Sequence, residues 1–314
     1  MATSGSTGFT LTAQQIVNRA LSKIHVKTAE VEPTANEMQD GIDSLNLMIK
    51  AWGAQGLHLW SKEEGVLFLD VGKTSYNLGA GGDKSCDLSD FVSTTLTSAN
   101  IITDTVLSLS SSVGIEVGDN IGIEADGNIR LWSTVLSVDS LTQVTINDPL
   151  TIATSEGASV FVFTDLMVRP NRILSYRRKT FNQDNEIPII NFSRDQYFNQ
   201  VNKNTQGTVV NCYYSPQLVN GVLYTWQAPS SVNDFVRFTY ERPLQDILSG
   251  DDTVDFPNEW LEAIIYSLAA KLSDDYMVPP AKADRIEMKA MRLLDDLLGW
   301  DEEISSLNIQ PDFS

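Results

Sequence analysis

Residues 251–303 read DDTVDFPNEWLEAIIYSLAAKLSDDYMVPPAKADRIEMKAMRLLDDLLGWDEE, and the fold turns on this run. Trp260, Leu261, Ile264, Ile265, Leu268, Ala269, Leu272 and Tyr276 recur every three or four positions. That spacing predicts a helix with one apolar face. Pro257 sits where a first turn tolerates a residue without an amide hydrogen. Pro279 and Pro280 are expected to stop the helix, because a proline ring excludes helical backbone at the residue before it. A second helix from about Ala281 then places Ile286, Ala290, Leu293, Leu294, Leu297 and Leu298 on one stripe, and the two should run antiparallel.

This pair cannot cover its own stripes, and the other strongly helical sequence lies at the opposite end of the chain. Thr12 with Gln15 forms a capping box, flanked by Leu11 and Ile16 as a hydrophobic staple. Val17, Ala20, Leu21 and Ile24 would be the buried face of the helix it opens. A second box, Thr34 with Glu37, opens a helix whose stripe is Met38, Ile42, Leu45, Ile49 and Trp52, ended by Gly53 and Gly56. The expected fold class is therefore α+β: a helical bundle formed by both chain ends, with a large β-rich insertion made of a small barrel or sandwich plus β-hairpins.

From Trp60 the apolar period changes to two in WSKEEGVLFLDVGKTSYNLG, with a hairpin turn expected at Gly72-Lys73-Thr74 and a linker at Gly79–Gly82. Residues 87–164 alternate in short pieces rich in Ser, Thr, Val and Ile, punctuated by turns such as Asp126-Gly127-Asn128. A second β section runs from about Leu166, where Asn220-Gly221 favours a tight primed turn pairing 210–218 with 222–227. The expected organisation is 1–62 for the first helical half, 63–86 for a hairpin and linker, and 87–165 for an inserted barrel. It continues with 166–250 for the second β section, 251–303 for the second helical half and 304–314 for an arm.

The chain has 314 residues, 42% of them hydrophobic, enough to bury a sizeable core. It contains no apolar run long enough to span a bilayer, and its first residues, MATSGSTGFT, lack the basic start and apolar stretch of a signal peptide. Cys86, Cys212, His25 and His58 have no ligand-like spacing, so neither a metal nor a cofactor is expected. A net charge of −19 opposes binding through neutralised DNA phosphates.

Apparent chemical motifs fail on inspection. Leu67 stands where a phosphate loop ending in Gly72-Lys73-Thr74 needs glycine, and Lys84 stands where a dinucleotide fingerprint on the Gly79–Gly82 run needs its third. Asp251, Thr253, Asp255 and Glu262 imitate a calcium loop, but Phe256 occupies its obligatory glycine position. Carboxylates at a helix start explain the cluster better. No serine motif accompanies either histidine, so an enzyme is not expected.

Arg169, Arg172, Arg177, Arg178 and Lys179 form the one basic cluster, read either as a possible contact face or as a charge-guarded strand edge. Past Trp300, the segment DEEISSLNIQPDFS keeps Ile304, Leu307, Ile309 and Phe313, which suits an arm on a partner or neighbouring subunit and equally a tail docked on its own domain.

The pieces in their order resemble a known family. AWGAQGLHLW followed by EEGVLFLDVGKTSYNLG, and later DFPNEWLEAIIYSLAAKLSDDY with LLGWDEE, resemble the two ends of the head-to-tail adaptor proteins of short-tailed bacteriophages, also called tail accessory factors or tubular protein A. RILSYRRKT, GTVVNCYYSP, GVLYTWQAP and FTYERPLQD resemble the middle of longer neck proteins of this type.

The resemblance implies a virion protein of the neck, assembled in the host cytoplasm, that forms a ring, commonly of twelve copies, beneath the portal. Such a ring retains packaged DNA, lets it pass without sequence-specific binding, and carries the tail nozzle and fibres or spikes; no membrane is involved. Trp300, Ile304, Leu307, Ile309 and Phe313 are then candidates for portal or neighbour contact, and Tyr213, Tyr214, Tyr224 and Trp226 for inter-subunit or tail-side contact. The alternatives are a virion-associated peptidoglycan hydrolase acting through carboxylates and a glycan-binding tail module.

Overall fold

The computed structural model describes residues 5, 8–27, 32–53 and 59–299. The expectations that fall on His58, Gly56, Trp300, Ile304, Leu307, Ile309 and Phe313 lie outside them. The chain is mixed α+β and divides into two compact units, Met1–Ser61 with Leu244–Ser314, and Lys62–Pro243.

Among the described residues the helices are α1 (Ala13–Lys23), α2 (Ala35–Gly53), the short α3 (Arg194–Phe198), α4 (Leu261–Asp275) and α5 (Pro280–Leu298). A helix start leaves its first amide hydrogens without intrahelical acceptors. In α1, Gln15 N donates to Thr12 Oγ1 at 3.4 Å and Thr12 N to Gln15 Oε1 at 3.2 Å, which completes the capping box. The remaining two donors are met from far along the sequence: Ala13 N donates to the Asp252 carbonyl and Gln14 N to that of Gly250, both at 2.8 Å. In α2, Glu37 N donates to Thr34 Oγ1 at 3.3 Å and Thr34 N to Glu37 Oε2 at 2.7 Å.

The helix ends rest on backbone geometry that the sequence pattern does not display. His25, with φ 65°, follows α1; Val26 N donates to Leu21 O at 3.0 Å and His25 N to Ser22 O at 3.2 Å. This pair of bonds is a Schellman stop. Met277, with φ 50°, repeats it after α4, where Val278 N donates to Ser273 O at 3.0 Å. The expected stop at Pro279 and Pro280 is thereby corrected: α4 ends before them, and Pro280 instead opens α5, where a first turn needs no amide donor.

One buried apolar cluster draws Leu11, Ile16, Val17, Leu21, Ile42, Leu45 and Ile49 together with Leu244, Ile247, Trp260, Leu261, Ile264, Leu268 and Ile286. Each large aliphatic side chain buried there contributes about 1.5–3 kcal/mol. Trp52, Trp60, Phe256 and Trp260 pack their rings at 5.0–6.1 Å beside it. The unit boundary falls before Leu244, not after residue 250, because Leu244 and Ile247 are buried in this cluster.

The other unit is built from strands β1 (Lys62–Phe68), β2 (Ser75–Leu78), β3 (Ser85–Asp87), β4 (Val92–Thr95), β5 (Val106–Ser108), β6 (Asn120–Ala125), β7 (Ile129–Ser140), β8 (Gln143–Ile146), β9 (Ser159–Phe163), β10 (Arg172–Thr180), β11 (Glu186–Asn191), β12 (Gln206–Gly207), β13 (Asn211–Ser215), β14 (Gly221–Trp226), β15 (Ala228–Pro229) and β16 (Asp234–Glu241). Eight of them form one sheet in the order β2-β14-β13-β11-β10-β16-β1-β3. It curls around a core that joins Leu67, Tyr76, Tyr176, Cys212, Leu223, Val236 and Phe238 from strands far apart in that order.

A second sheet, β4-β9-β6-β7-β8-β5, brings its two edges together through an antiparallel bridge between Leu96 and Leu109 and becomes nearly a barrel. Its interior is aliphatic, with Ile121, Ile123, Val135, Val144, Val160 and Val162 fully or almost fully buried. Asp126-Gly127-Asn128 makes the β6–β7 turn, with Gly127 at φ 87° and Asn128 at φ 62°.

Three local expectations are corrected. β1 and β2 are not a hairpin: β1 pairs with β16 and β3, and β2 with β14. Val66, Leu67 and Phe68 are buried on both faces, as a central strand requires, whereas β2 alternates exposed and buried residues. Gly79–Gly82 is not a linker but a tight turn inside the unit, with Gly82 N donating to Gly79 O at 2.9 Å and Gly79 at φ 134°. β13 and β14 do pair, but through a longer tip in which neither Asn220 nor Gly221 has positive φ. Gly221 is a strand residue there, and a Cβ on it would collide with the Tyr214 ring.

Candidate functional site

Alternation along β13 and β14 splits the expected tyrosine and tryptophan set. Tyr213 faces Tyr224 across the strand pair, and Asn211 faces Trp226 on the same outer face. The Tyr213 and Tyr224 rings stack with centroids 5.8 Å apart and planes within 11°. Tyr214 points the opposite way: its hydroxyl donates to the Pro170 carbonyl at 2.6 Å, and burial pushes its phenol up to about 12. It is a core residue and leaves the candidate surface.

Helix α3 completes the outer face. Ser193 and Gln196 cap it reciprocally, which sets Tyr197 5.0 Å and Phe198 5.7 Å from the Tyr224 ring. Tyr197 is buried, and burial raises its phenol pKa against a hydrogen bond from Thr74. Phe198 remains 47% exposed, and the Lys203 ammonium lies 5.8 Å from the Tyr197 ring centroid and 6.0 Å from that of Phe198. Trp226 Nε1 donates to the Asn202 carbonyl at 3.0 Å. The result is an aromatic platform with a cationic rim, suited to flat apolar surfaces. Tyr197 and Phe198 are absent from the sequence-based candidates, although the Ser193-x-x-Gln196 box was a local signal for their helix.

The basic cluster is largely neutralised. Arg172 pairs with Glu241 at 2.6 Å, Arg177 with Glu64 at 2.5 Å and Glu186 at 3.3 Å, and Arg178 with Asp234 at 3.6 Å. Arg177 also faces Arg237 directly across the strands, and Glu186 bridges the two, reaching Arg237 at 2.6 Å. Arg169 donates to the Gln217 carbonyl at 3.1 Å. Lys179 borders a cavity of about 290 Å3 with Phe181 and Arg237. These pairs stitch the curled sheet together, so reading the cluster as one basic contact face is corrected for Arg177 and Arg178, while the Arg172 side chain stays 62% exposed.

Arg130 is the most deeply buried cation of this unit. Its guanidinium donates to the carbonyls of Gly122 and Val232 at 3.1 and 2.8 Å and to Ser159 Oγ at 2.9 Å, and lies 3.8 Å over the Phe161 ring. Burial lowers its pKa to about 10, opposed by the Glu124 carboxylate. Glu124 in turn accepts from Ser159 N and Asn233 Nδ2. These bonds tie the smaller sheet to the segment entering β16.

The helical unit carries its own groove of about 700 Å3, lined by Phe9, Leu11, Leu261, Ile265 and Tyr266, with Arg19 and Lys23 at its rim. The Lys289 ammonium sits 4.1 Å from the Tyr266 ring centroid and pairs with Glu262 at 2.9 Å. Hydrogen bonds from Lys289 and then Lys23 favour the phenolate and lower the Tyr266 pKa.

Among the described residues no group of three or more His, Cys, Asp or Glu side chains is arranged to hold a metal, and no helix is long and apolar enough to cross a membrane. No protein-family model and no curated protein matches the chain. Among solved structures, VP17, a capsid protein of bacteriophage P23-77, aligns over 57% of this chain and 80% of its own at 14% identity, with a TM-score of 0.12. A score that low carries no argument about fold or function.

Proposed function

We propose that the chain is a structural virion protein, a head-to-tail adaptor that forms a ring between the portal and the tail of a short-tailed bacteriophage. The observation that carries this reading is the return of the chain: the residues before β1 and those after Pro243 share one apolar cluster, and the β-rich middle forms a unit of its own. That is the order in which the adaptor-like segments occur in the sequence. On this reading the helical unit is a bundle closed by both chain ends.

Head-to-tail association around a closed ring needs two different, mutually complementary surfaces on one chain. The helical unit and the face of Phe198, Tyr213 and Tyr224, backed by the buried Tyr197, supply surfaces of different chemistry. The acidity of the chain would let DNA pass the channel without sticking. Partners on this reading are the portal, the tail nozzle and fibre or spike proteins, with no catalytic step and no cofactor.

The test is electron microscopy of the purified chain mixed with the portal ring of its own phage, alongside sedimentation of the chain alone. The expected result is a monomer or weak association that becomes a ring on the portal. A stable trimer indifferent to portal would overturn the proposal.

A further inference from the structure

We propose that the groove of the helical unit is the seat of residues 300–314 of the same chain. Three observations converge on this occupant. The first is position. Helix α5 packs along α4, and its last turns border a second cavity of about 310 Å3, lined by Leu293, Asp296 and Leu297, that shares Glu259 and Glu262 with the groove. Helix α5 therefore ends beside the groove, and the fifteen residues that follow Gly299 in sequence can extend to about 50 Å.

The second is apolar match. Trp300, Ile304, Leu307, Ile309 and Phe313 offer large side chains to a floor made by Leu11, Ile265 and the 63% exposed Phe9. The third is charge. The segment holds Asp301, Glu302, Glu303 and Asp312 and no lysine or arginine. In a chain of net charge −19, the groove lining carries Arg19 and Lys23 beside the carboxylates of Glu259 and Glu262, of which Glu262 is held by Lys289.

The other stretches outside the described residues, at 1–4, 6–7, 28–31 and 54–58, combine no such apolar series with acidic excess. The seat would hold the segment against its own unit until a partner competes for it. This inference does not rest on the adaptor reading.

The test uses the full chain carrying Ser22→Cys and Ser306→Cys. Spin labels will go to these positions, because Cys86 and Cys212 are buried and burial pushes both thiols up. The expected result is one short, narrow distance between the labels, unchanged when labelled protein is diluted with unlabelled protein. It should be lost both with Arg19→Glu/Lys23→Glu, two exposed positions, and with Ile304→Asp/Leu307→Asp, while circular dichroism stays unchanged. A broad distribution in the parent overturns the proposal. So does a short distance that disappears on dilution, which would make the occupant a second copy, or one that survives both variant pairs.

Discussion

Asn46 and Ile247, 201 positions apart in sequence, exchange two hydrogen bonds: the Asn46 amide donates to the Ile247 carbonyl at 2.8 Å, and the Ile247 N–H donates to Asn46 Oδ1 at 2.9 Å. One side chain on α2 thus satisfies both backbone groups of a buried residue from the far end of the chain. Asn46→Ala leaves both without partners and should lower stability by about 1–3 kcal/mol. Asn46→Asp keeps the acceptor but sets a carboxylate against a carbonyl, and a similar loss is expected. Urea titration followed by circular dichroism measures both; an unchanged midpoint would mean that the contact carries no weight.

Gly41 lies inside α2 where it crosses α1, and a Cβ placed there would run into the buried Val17 side chain. At an open helical site, alanine would gain about 1 kcal/mol over glycine. Here overpacking, at about 1–3 kcal/mol, should reverse the sign. Thermal denaturation of Gly41→Ala should therefore show a lower melting temperature, and a rise would show that the two helices can separate freely.

Arg130 is expected to resist even its closest replacement. Leaving buried polar groups without their hydrogen-bond partner costs about 1–3 kcal/mol. Arg130→Met should reach that loss, since it strips the carbonyls of Gly122 and Val232 and the Ser159 hydroxyl of their donor. Arg130→Lys should also be destabilised, because an ammonium cannot reproduce the planar fork. Wild-type stability in the lysine variant would show that only the charge matters.

Tyr266 should ionise below the usual phenol range. Its folded pKa is lowered, so its contribution to stability appears above the unfolded phenol pKa and is lost as pH falls through the folded value. Burial pushes Tyr76, Tyr176 and Tyr240 the opposite way, well above the usual phenol range. Spectrophotometric titration should show an early phenolate transition that disappears in Tyr266→Phe. Its persistence in that variant would assign it elsewhere.

What could be read from the sequence follows the range of the forces involved. The Thr12–Gln15 and Thr34–Glu37 boxes and the stripe from Leu261 to Leu272 are local, and the helices sit where those signals place them. Strand partners are not local. Alternation tells which side chains share a face but not which strand lies alongside, so β1 finds β16 across more than half the chain while β2 finds β14. The same limit hid the carboxylates that meet Arg172, Arg177 and Arg178, which come from β1, β11 and β16. The separation of Tyr213 from Tyr214 was legible, because adjacent strand residues point to opposite faces. The left-handed stops at His25 and Met277 had no marker, since neither is glycine or asparagine.

The most direct measurement is native-state hydrogen exchange of the intact chain across a denaturant series. If the first and last parts of the sequence are one cooperative body, the amides of α1 and of α4 should lose protection together, and Asn46→Ala should lower both by the same amount. Protection in α1 that vanishes while α4 remains closed, or a substitution felt on one side alone, would contradict the account.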